Sequence, residues 1–378
     1  MDMMAEDKNE DENIVFSPFS IRMAFMMAAN GASGETRREI LDAFCVDDLD
    51  AFNQRAKSAT EPVVSEEVNV AYGSKRKTMA FDLGNSIWLN KEYDRGGTLP
   101  PGLFKDTSFA PTFASKVQEC YRGESCVVGK ESKTAAVNEW IEEKTNGKIK
   151  NALPDDIDYL SALVNTIYFK AEWLNQFDKV LTKAGPFKNK DGSKAEADFM
   201  NRTSYMEYFE NARCQAVEIP YFTGNGSDVS MYVFLAKDMS ARIDAGDMDK
   251  AFNNKATEYV SLSLPKFTID FKDEELIAKL VQLGIKDAFI EEAADFGGMY
   301  ADFPDGYRSY IEFVVHQAFI EIDEEGTEAA AATVIVGGPT SVPVFPVPKI
   351  FVADRPFTYV IRNNGTGDIY FMGCCRFL

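Results

Sequence analysis

The sequence predicts a mixed α/β protein with large sheets. Three observations support this class: 45% of the 378 residues are hydrophobic, helical and strand patterns both occur, and the pattern is mostly strand-like from residue 216 onward. No internal repeat and no Pro/Ser-rich linker divides the chain. We therefore expect a single domain spanning residues 1–378.

Helices are predicted where apolar residues recur at helical spacing between turn-forming residues. The first follows the Ser17-Pro18 pair, because serine suits the N-cap and proline suits the first turn. The segments predicted as helical are 21–29 with its start at 17–20, 36–41, 134–143 and 274–283.

Strands are predicted from short apolar or alternating runs between turn signals. The run at 160–169 is almost continuously apolar and is interrupted by Asn165, which is typical of a strand buried on both faces. The other predicted strands are 81–89, 216–219, 229–234, 260–264, 267–271, 315–323, and a final hairpin of 357–361 and 369–372 around the turn at 363–367.

The charge of the chain excludes several classes of partner. Sixty Asp and Glu residues against 40 Lys and Arg give a net charge of −20 and a pI of about 4.6. A field of that sign repels phosphate backbones and anionic lipid, so we expect neither nucleic acid nor membrane as a partner. The acidic first residues do not form a signal peptide, so we expect either an intracellular protein or a numbering that begins after a removed leader.

Six cysteines are too sparse for a disulfide scaffold in a chain of this length. We expect free thiols that serve mostly as small core residues. Cys120 and Cys126 could pair, whereas the adjacent Cys374 and Cys375 would bridge each other only with strain. No zinc-binding spacing occurs among them.

The single histidine, His316, excludes most hydrolytic chemistry. Paired-histidine metal sites are impossible, and no G-x-S-x-G turn presents a serine to this histidine. We therefore expect no enzyme, no metal and no cofactor, although an enzyme that uses His316 stays as a remote alternative. Period-two alternation puts His316 on the face of a strand that carries Ala318, Ile320 and Ile322, as expected for a structural histidine with hydrogen-bond partners.

The segment 324–350 is unusual because it is long and lacks a clear element. An alanine helix followed by a proline-rich linker is one reading, since alanine is the best helix former. The small side chains favour another, because a strand that enters a packed sheet must bring little volume. Upon insertion, Glu328 would face water, and the residues facing inward would be Thr327, Ala329, Ala331, Thr333 and Ile335.

Several motifs in the same order resemble the serpin family over nearly the whole chain. They are NIVFSPFSI (13–21), NGASGET (30–36), NEWIEEKTNGKI (138–149), VNTIYFKAEW (164–173), LPKF (264–267), ADFGGM (294–299), HQA (316–318), EGTEAAAAT (325–333), ADRPF (353–357) and FMG (371–373). The resemblance implies a fold of three β-sheets and eight or nine helices with an exposed reactive loop. It also implies that a serine protease cleaves this loop, stays bound as a covalent acyl complex, and is trapped when the loop inserts into the main sheet.

The resemblance assigns roles to particular residues. It implies a hinge at the foot of the loop (Glu325, Gly326, Thr327, Glu328, Ala329, Ala330, Ala331, Ala332 and Thr333), a polar shutter beneath the main sheet (Ser17, Ser20, Asn165 and His316) and a breach residue where insertion begins (Trp173). Plain core structure is the alternative for the shutter and breach residues.

The family spacing from Gly326 places the reactive bond at Thr340-Ser341, whereas counting back from Pro356 lands near Phe345. The hinge count governs our choice, because the length of the loop before the bond sets how far the protease travels. In addition, Pro346 makes the bond after Phe345 a poor substrate. No basic residue occurs from Gly326 to Pro348, so we expect elastase-like or subtilisin-like targets.

We expect a monomeric, extracellular inhibitor, with a cytoplasmic location as the alternative. The competing function is a non-inhibitory serpin that acts as a binding or storage protein.

Overall fold

The structure is a computed structural model that describes residues 11–61, 67–69, 75–77, 80–154, 157–223, 228–239, 241–327 and 346–378. These residues form seven α-helices and three one-turn 3-10 helices, where eight or nine helices were expected. The helices are α1 (Pro18–Ala29), α2 (Gly34–Ala43), α3 (Leu49–Ala59), α4 (Pro111–Tyr121), α5 (Lys133–Lys144), α6 (Ala245–Asn254) and α7 (Leu276–Gln282), and the 3-10 turns are Lys179–Leu181, Asp287–Phe289 and Gly297–Met299.

The strands account for most of the regular structure, and the predominance of strands predicted from residue 216 onward is confirmed. They are β1 (Ile14–Phe16), β2 (Glu67–Asn69), β3 (Lys75–Lys77), β4 (Ala80–Asn90), β5 (Ser108–Phe109), β6 (Glu124–Val128), β7 (Ser161–Glu172), β8 (Lys183–Lys188), β9 (Lys194–Glu210), β10 (Cys214–Pro220), β11 (Val229–Ala236), β12 (Ala256–Pro265), β13 (Phe267–Lys272), β14 (Tyr300–Ala301), β15 (Phe313–Ile322), β16 (Gly326–Thr327), β17 (Lys349–Val352), β18 (Phe357–Asn363) and β19 (Ile369–Cys375).

The strands form three large layers. One sheet has six strands in the order β13-β15-β16-β7-β4-β6. Nine strands follow the order β1-β19-β18-β11-β10-β9-β12-β17, with β8 beside β9. Only three residue pairs join β9 to β10, so this assembly divides there into two sheets, and the prediction of three sheets holds. Two short ribbons, β14 with β5 and β2 with β3, complete the pairing.

Helix α1 lies in the centre of the main hydrophobic core. Its N-cap Ser17 accepts a hydrogen bond from the backbone of Ser20, and Pro18 occupies the first turn, so the predicted start is confirmed. Ten of its twelve residues are buried. Arg22 is its one charged residue, and a helix that is buried on almost every side is stable only inside a protein.

A second, smaller core lies under helix α5. Trp140 of α5 packs edge-on against Trp88 of β4, with ring centroids 6.4 Å apart. Ala162 and Val164 of β7 belong to the same cluster, whereas Leu163 and Ile167 belong to the main core. β7 is therefore buried on both faces, as its continuous apolar run predicts.

All six cysteines are free, and Cys120 and Cys126 are not paired with each other. Only Cys214 and Cys375 are buried, so the expectation that most of the thiols serve as core residues is wrong. None of the helices in the described part of the chain is long and apolar enough to cross a membrane.

Candidate functional site

The candidate site is a gap in the six-stranded sheet, where two neighbouring strands separate. β7 and β15 pair in parallel over residues 162–166 and 313–317. Beyond these residues both strands pair with β16 instead, because Thr327 lies opposite Ile322 of β15 and opposite Ala171 of β7. The two residues of β16 therefore lie between the strands as a wedge, antiparallel to both.

Below this wedge the two strands line a cavity. Its walls include Ile167, Tyr168 and Phe169 of β7, Phe319 and Glu321 of β15, and Thr327 of the wedge. Among the described residues, the facing backbones of 167–170 and 318–321 have no strand between them. Unpaired neighbouring strand edges are a ready template for a further strand.

Gly326 allows the wedge to approach β7 closely. Its φ is +154°, and a Cβ there would lie 2.1 Å from the Ala171 carbonyl oxygen and 2.7 Å from Cα of Glu172. Only glycine fits this approach. The preceding turn is held by Asp323, whose Oδ1 accepts hydrogen bonds from the backbone N–H of Glu325 at 2.8 Å and of Gly326 at 3.1 Å.

Two buried glutamates fasten this turn to neighbouring elements, and we call them and their three partners the clamp. Glu324 accepts a hydrogen bond from Thr182 Oγ1 at 2.8 Å and pairs with Lys266 Nζ at 3.1 Å. Glu325 pairs with the exposed Lys179. Burial raises the pKa of Glu324, but hydrogen bonds from the backbone, Thr182 and Lys266 outweigh burial and hold this pKa below its usual value.

Trp173 fixes the entrance of the gap. Its ring stacks on Tyr221 at 4.5 Å, and its Nε1 donates a hydrogen bond to the carbonyl of Asp323 at 2.9 Å. Its backbone N–H donates to the carbonyl of Glu325 at 2.8 Å. The hydroxyl groups of Tyr221 and Thr327 are 2.8 Å apart. Complete burial raises the pKa of Tyr221, which therefore stays neutral.

Five buried polar side chains form a cluster at the closed end of the gap, which we call the shutter cluster. Ser20 Oγ donates a hydrogen bond to Asn165 Oδ1, and Asn165 Nδ2 donates to Asn85 Oδ1 at 2.7 Å. Ser17 and His316 complete the cluster, and each of the five is at most 1% exposed. The cluster ties together α1, β4, β7 and β15.

The hydrogen bonds of His316 define its protonation. Nε2 accepts from the backbone N–H of Ser17 at 3.1 Å, so the ring proton is on Nδ1, which lies 3.2 Å from Asn165 Oδ1. Burial lowers the pKa of His316 to about 4, and the positive charge of Lys279 adds to this effect. The ring is therefore neutral at pH 7, and the prediction of a structural histidine with polar partners agrees with its surroundings.

The structure brings together the four predicted shutter residues and places Trp173 against the foot of the hinge. Glu325, Gly326 and Thr327 of the predicted hinge are described, whereas Glu328, Ala329, Ala330, Ala331, Ala332, Thr333 and the predicted reactive bond Thr340-Ser341 lie outside the described residues.

Sequence reasoning missed several site residues: Asn85, Tyr221, Lys179, Thr182 and Lys266. The signal for Asn85 was present, because it is a polar residue within the predicted strand 81–89. Within the described residues, no three His, Cys, Asp or Glu side chains are grouped so as to hold a metal ion.

Comparison with known proteins supports the predicted class. A family model described as Serpin (serine protease inhibitor) matches residues 1–376. A serpin-like protein of Thermococcus kodakarensis is 32% identical over 98% of this chain and 82% of its own length. The leukocyte elastase inhibitor of Homo sapiens is 29% identical over 97% of this chain and 93% of its own.

Solved structures share the fold. The native thermophilic serpin tengpin aligns with a TM-score of 0.82 at 24% identity and covers 100% of this chain and 91% of its own. Human thyroxine-binding globulin, solved in complex with thyroxine, aligns with a TM-score of 0.78 at 23% identity and covers 99% of this chain and 93% of its own. The predicted fold class is confirmed.

Proposed function

The chain belongs to the serpin family, and on that premise we propose that it is an irreversible inhibitor of serine proteases that traps its target by loop cleavage and insertion. Proteins of this family are generally protease inhibitors rather than enzymes. The observation that carries the proposal is the wedge, because the first hinge residue after Gly326 already pairs with both strands of the open gap.

Continuing the wedge register gives a definite inserted strand. Thr327 lies opposite Ala171 of β7. In an antiparallel pair, a residue two positions after Thr327 lies opposite the residue of β7 two positions before Ala171. Ala329 would then lie opposite Phe169, and Ala331 opposite Ile167. Partners directly opposite each other share a face, so these small residues would face the main core, where Phe169 and Ile167 are buried.

The same register brings the hinge to the shutter cluster. Six positions beyond Thr327, Thr333 would lie opposite Asn165 on β7 and, by the same count from Ile322, opposite His316 on β15. Insertion to that depth must break the contact between His316 Nδ1 and Asn165 Oδ1. We propose that the shutter cluster must open during trapping, while the clamp and Trp173 hold the entrance.

The chemical step follows from the proposed bond. The serine Oγ of the protease attacks the carbonyl carbon of Thr340, and the amide to Ser341 breaks. The general base of the protease takes the proton of the serine hydroxyl and then gives it to the amino group of Ser341, which leaves. Thr340 stays attached to the protease as an ester. Thr340 is fourteen positions beyond Gly326, so the inserted strand would place the ester about 46 Å from Gly326 at roughly 3.3 Å per residue.

We propose small, uncharged primary specificity, because Pro339-Thr340 precedes the bond and basic residues are absent from 326–348. Elastase-like and subtilisin-like serine proteases fit that requirement. The resemblance to the leukocyte elastase inhibitor supports the first of these. The monomeric state and the extracellular location, with cytoplasm as the alternative, remain predictions.

The proposal is tested by incubating the protein with an elastase and with a subtilisin, each also pre-treated with a reagent that blocks the catalytic serine. We expect a complex that survives SDS with the active protease only, because the ester needs that serine. The mass of the small fragment released should be that of a fragment that begins at Ser341.

Cleavage of the loop by every protease without a stable complex would overturn the inhibitor proposal. That result would favour a binding or storage protein, since the fold alone does not distinguish the two and thyroxine-binding globulin shares it. An enzyme that uses His316 would require turnover that is lost in His316→Ala while folding is intact. Its ring is 1% exposed and enclosed by the shutter cluster, which argues against that reading.

A further inference from the structure

A second cavity, of about 700 Å³, lies between α1, α3 and the turn that joins β18 to β19. Its walls include the rings of Phe19, Phe52, Phe81 and Tyr370. The rings of Phe81 and Tyr370 are 4.5 Å apart, and those of Phe19 and Tyr370 are 5.4 Å apart. Cavities of roughly 300–1,000 Å³ with aromatic walls and a few polar groups are typical of small-molecule sites.

Two arginines converge on one wall of this cavity. The guanidinium carbons of Arg22 and Arg55 lie 4.9 Å and 6.0 Å from the centroid of the Phe52 ring. The Nε of Arg22 is buried and has no hydrogen-bond partner. Arg22 makes no ion pair with a carboxylate among the described residues. Arg22 is half-buried and Arg55 is exposed, and both line the cavity. A buried guanidinium N–H without a partner is costly, and an anion in the cavity would satisfy it.

Carboxylates also line the cavity, at Glu61 and Asp368. Asp368 lies near enough to raise the pKa of Arg22, but burial and the charge of Arg55 outweigh it and lower that pKa. One oxygen of Asp368 already accepts a hydrogen bond from the Thr366 hydroxyl at 2.6 Å. Asp368 therefore does not satisfy the buried donor of Arg22.

We propose that this cavity binds a small amphipathic organic anion, with its aromatic or aliphatic body among Phe19, Phe81 and Tyr370 and its carboxylate or sulfonate on Arg22 and Arg55. A charge-assisted hydrogen bond to the buried Nε would supply affinity and orientation. The net charge of −20 repels anions from most of the surface. The two arginines that line this cavity balance its two carboxylates, so the cavity carries no net negative charge. The proposal does not depend on protease inhibition.

The test compares two fluorescent probes of similar shape, the anion 8-anilino-1-naphthalenesulfonate and the neutral N-phenyl-1-naphthylamine. The double variant R22M/R55M keeps the length of both side chains and removes both charges, and Arg38→Met in the exposed part of α2 is the control. We expect one equivalent of the anion to bind the natural protein and R38M alike. In R22M/R55M its affinity should fall by about tenfold or more, which corresponds to about 1.4 kcal/mol, while the neutral probe keeps its affinity within about twofold.

Fluorescence that shows no saturable site for the anion in the natural protein would overturn the proposal, as would an unchanged affinity in R22M/R55M. An equal loss of affinity for both probes in R22M/R55M would also overturn it, because the cavity would then bind apolar surface without regard to charge. If the double variant does not fold, the test uses the natural protein alone. Rising salt must then lower its affinity for the anionic probe and leave its affinity for the neutral probe unchanged.

Discussion

His316 connects the shutter cluster to the stability of the protein in mild acid. Its folded pKa of about 4 lies below the 6.5 of a free histidine. Between these values the unfolded chain takes up a proton that the folded protein does not, so the free energy of unfolding must fall as pH falls from 6.5 to 4. Below pH 4 both states are protonated and this contribution no longer changes. The total is on the order of 3 kcal/mol.

The measurement is the thermal unfolding midpoint of the uncleaved protein at several pH values from 4 to 7. His316→Gln removes the titrating ring, so we expect the variant to be less stable at pH 7 but to lose less on acidification than the natural protein. Parallel losses in the two proteins would show that other groups, and not His316, set the acid response.

The clamp gives a second residue-scale prediction. Glu324→Gln keeps the shape of the side chain but removes the charge that Thr182 and Lys266 satisfy, and Lys266 is left without its partner. We expect a loss on the order of 1–3 kcal/mol of unfolding free energy at neutral pH. Because the folded pKa of Glu324 is lowered, the difference from the natural protein should shrink as pH falls through that pKa.

Glu325→Gln is the matched control for the clamp. Lys179 is the one side chain among the described residues that pairs with Glu325, and it is 60% exposed, so solvent weakens that pair. Unfolding midpoints of the two variants should rank Glu324→Gln below Glu325→Gln. The reverse order would contradict our account of the clamp.

At the scale of elements, the hinge must behave as a strand with an inner and an outer face. Thr327 is 3% exposed and bonds to Tyr221, so Thr327→Arg would place an unpaired charge in the sheet. We expect this variant to be cleaved by the protease without forming a complex. The measurement is the number of inhibitor molecules consumed for each protease molecule trapped. We expect this number to rise by at least about tenfold in Thr327→Arg.

Glu328→Arg is the matched control for the hinge, because alternation places residue 328 on the opposite face from Thr327. It should trap protease nearly as well as the natural protein. Trapping by Thr327→Arg, or equal failure of both variants, would refute the inserted register.

The elements that sequence alone predicts are those with strong apolar periodicity. α1, α5 and the strands β4, β7 and β15 were found with boundaries close to those observed. Helix α3 was not predicted, because it buries only Phe52, Asn53 and Ala56 of its eleven residues. The long strand β9 was missed for the same reason, since its first five residues alternate between exposed and half-buried positions.

Residues of the candidate site could be predicted from the sequence only where one continuous segment shows an unusual residue pattern. The small residues after Gly326 and the isolated Asn165 are visible in the sequence, and the family resemblance supplied the other shutter residues. The contacts of Asn85 with Asn165 and of Tyr221 with Thr327 join residues that are distant along the chain. Such pairings depend on strand register, which one sequence does not specify.

At the scale of the whole molecule, the account depends on unused pairing capacity in the six-stranded sheet. Among the described residues, the backbones of 167–170 and 318–321 face a gap that only the two residues of the wedge enter. Each backbone hydrogen bond gained there would add about 0.5–1.5 kcal/mol to the free energy of unfolding. Filling the gap should therefore make the cleaved protein much more stable than the intact one.

The most direct test is the thermal unfolding midpoint before and after one cut in the loop, made with a protease that cleaves without being trapped. Our account predicts a midpoint for the cleaved protein far above that of the intact protein, with Thr327→Arg showing a much smaller rise. A cleaved protein that melts at or below the temperature of the intact one would contradict insertion and, with it, the proposed inhibitory mechanism.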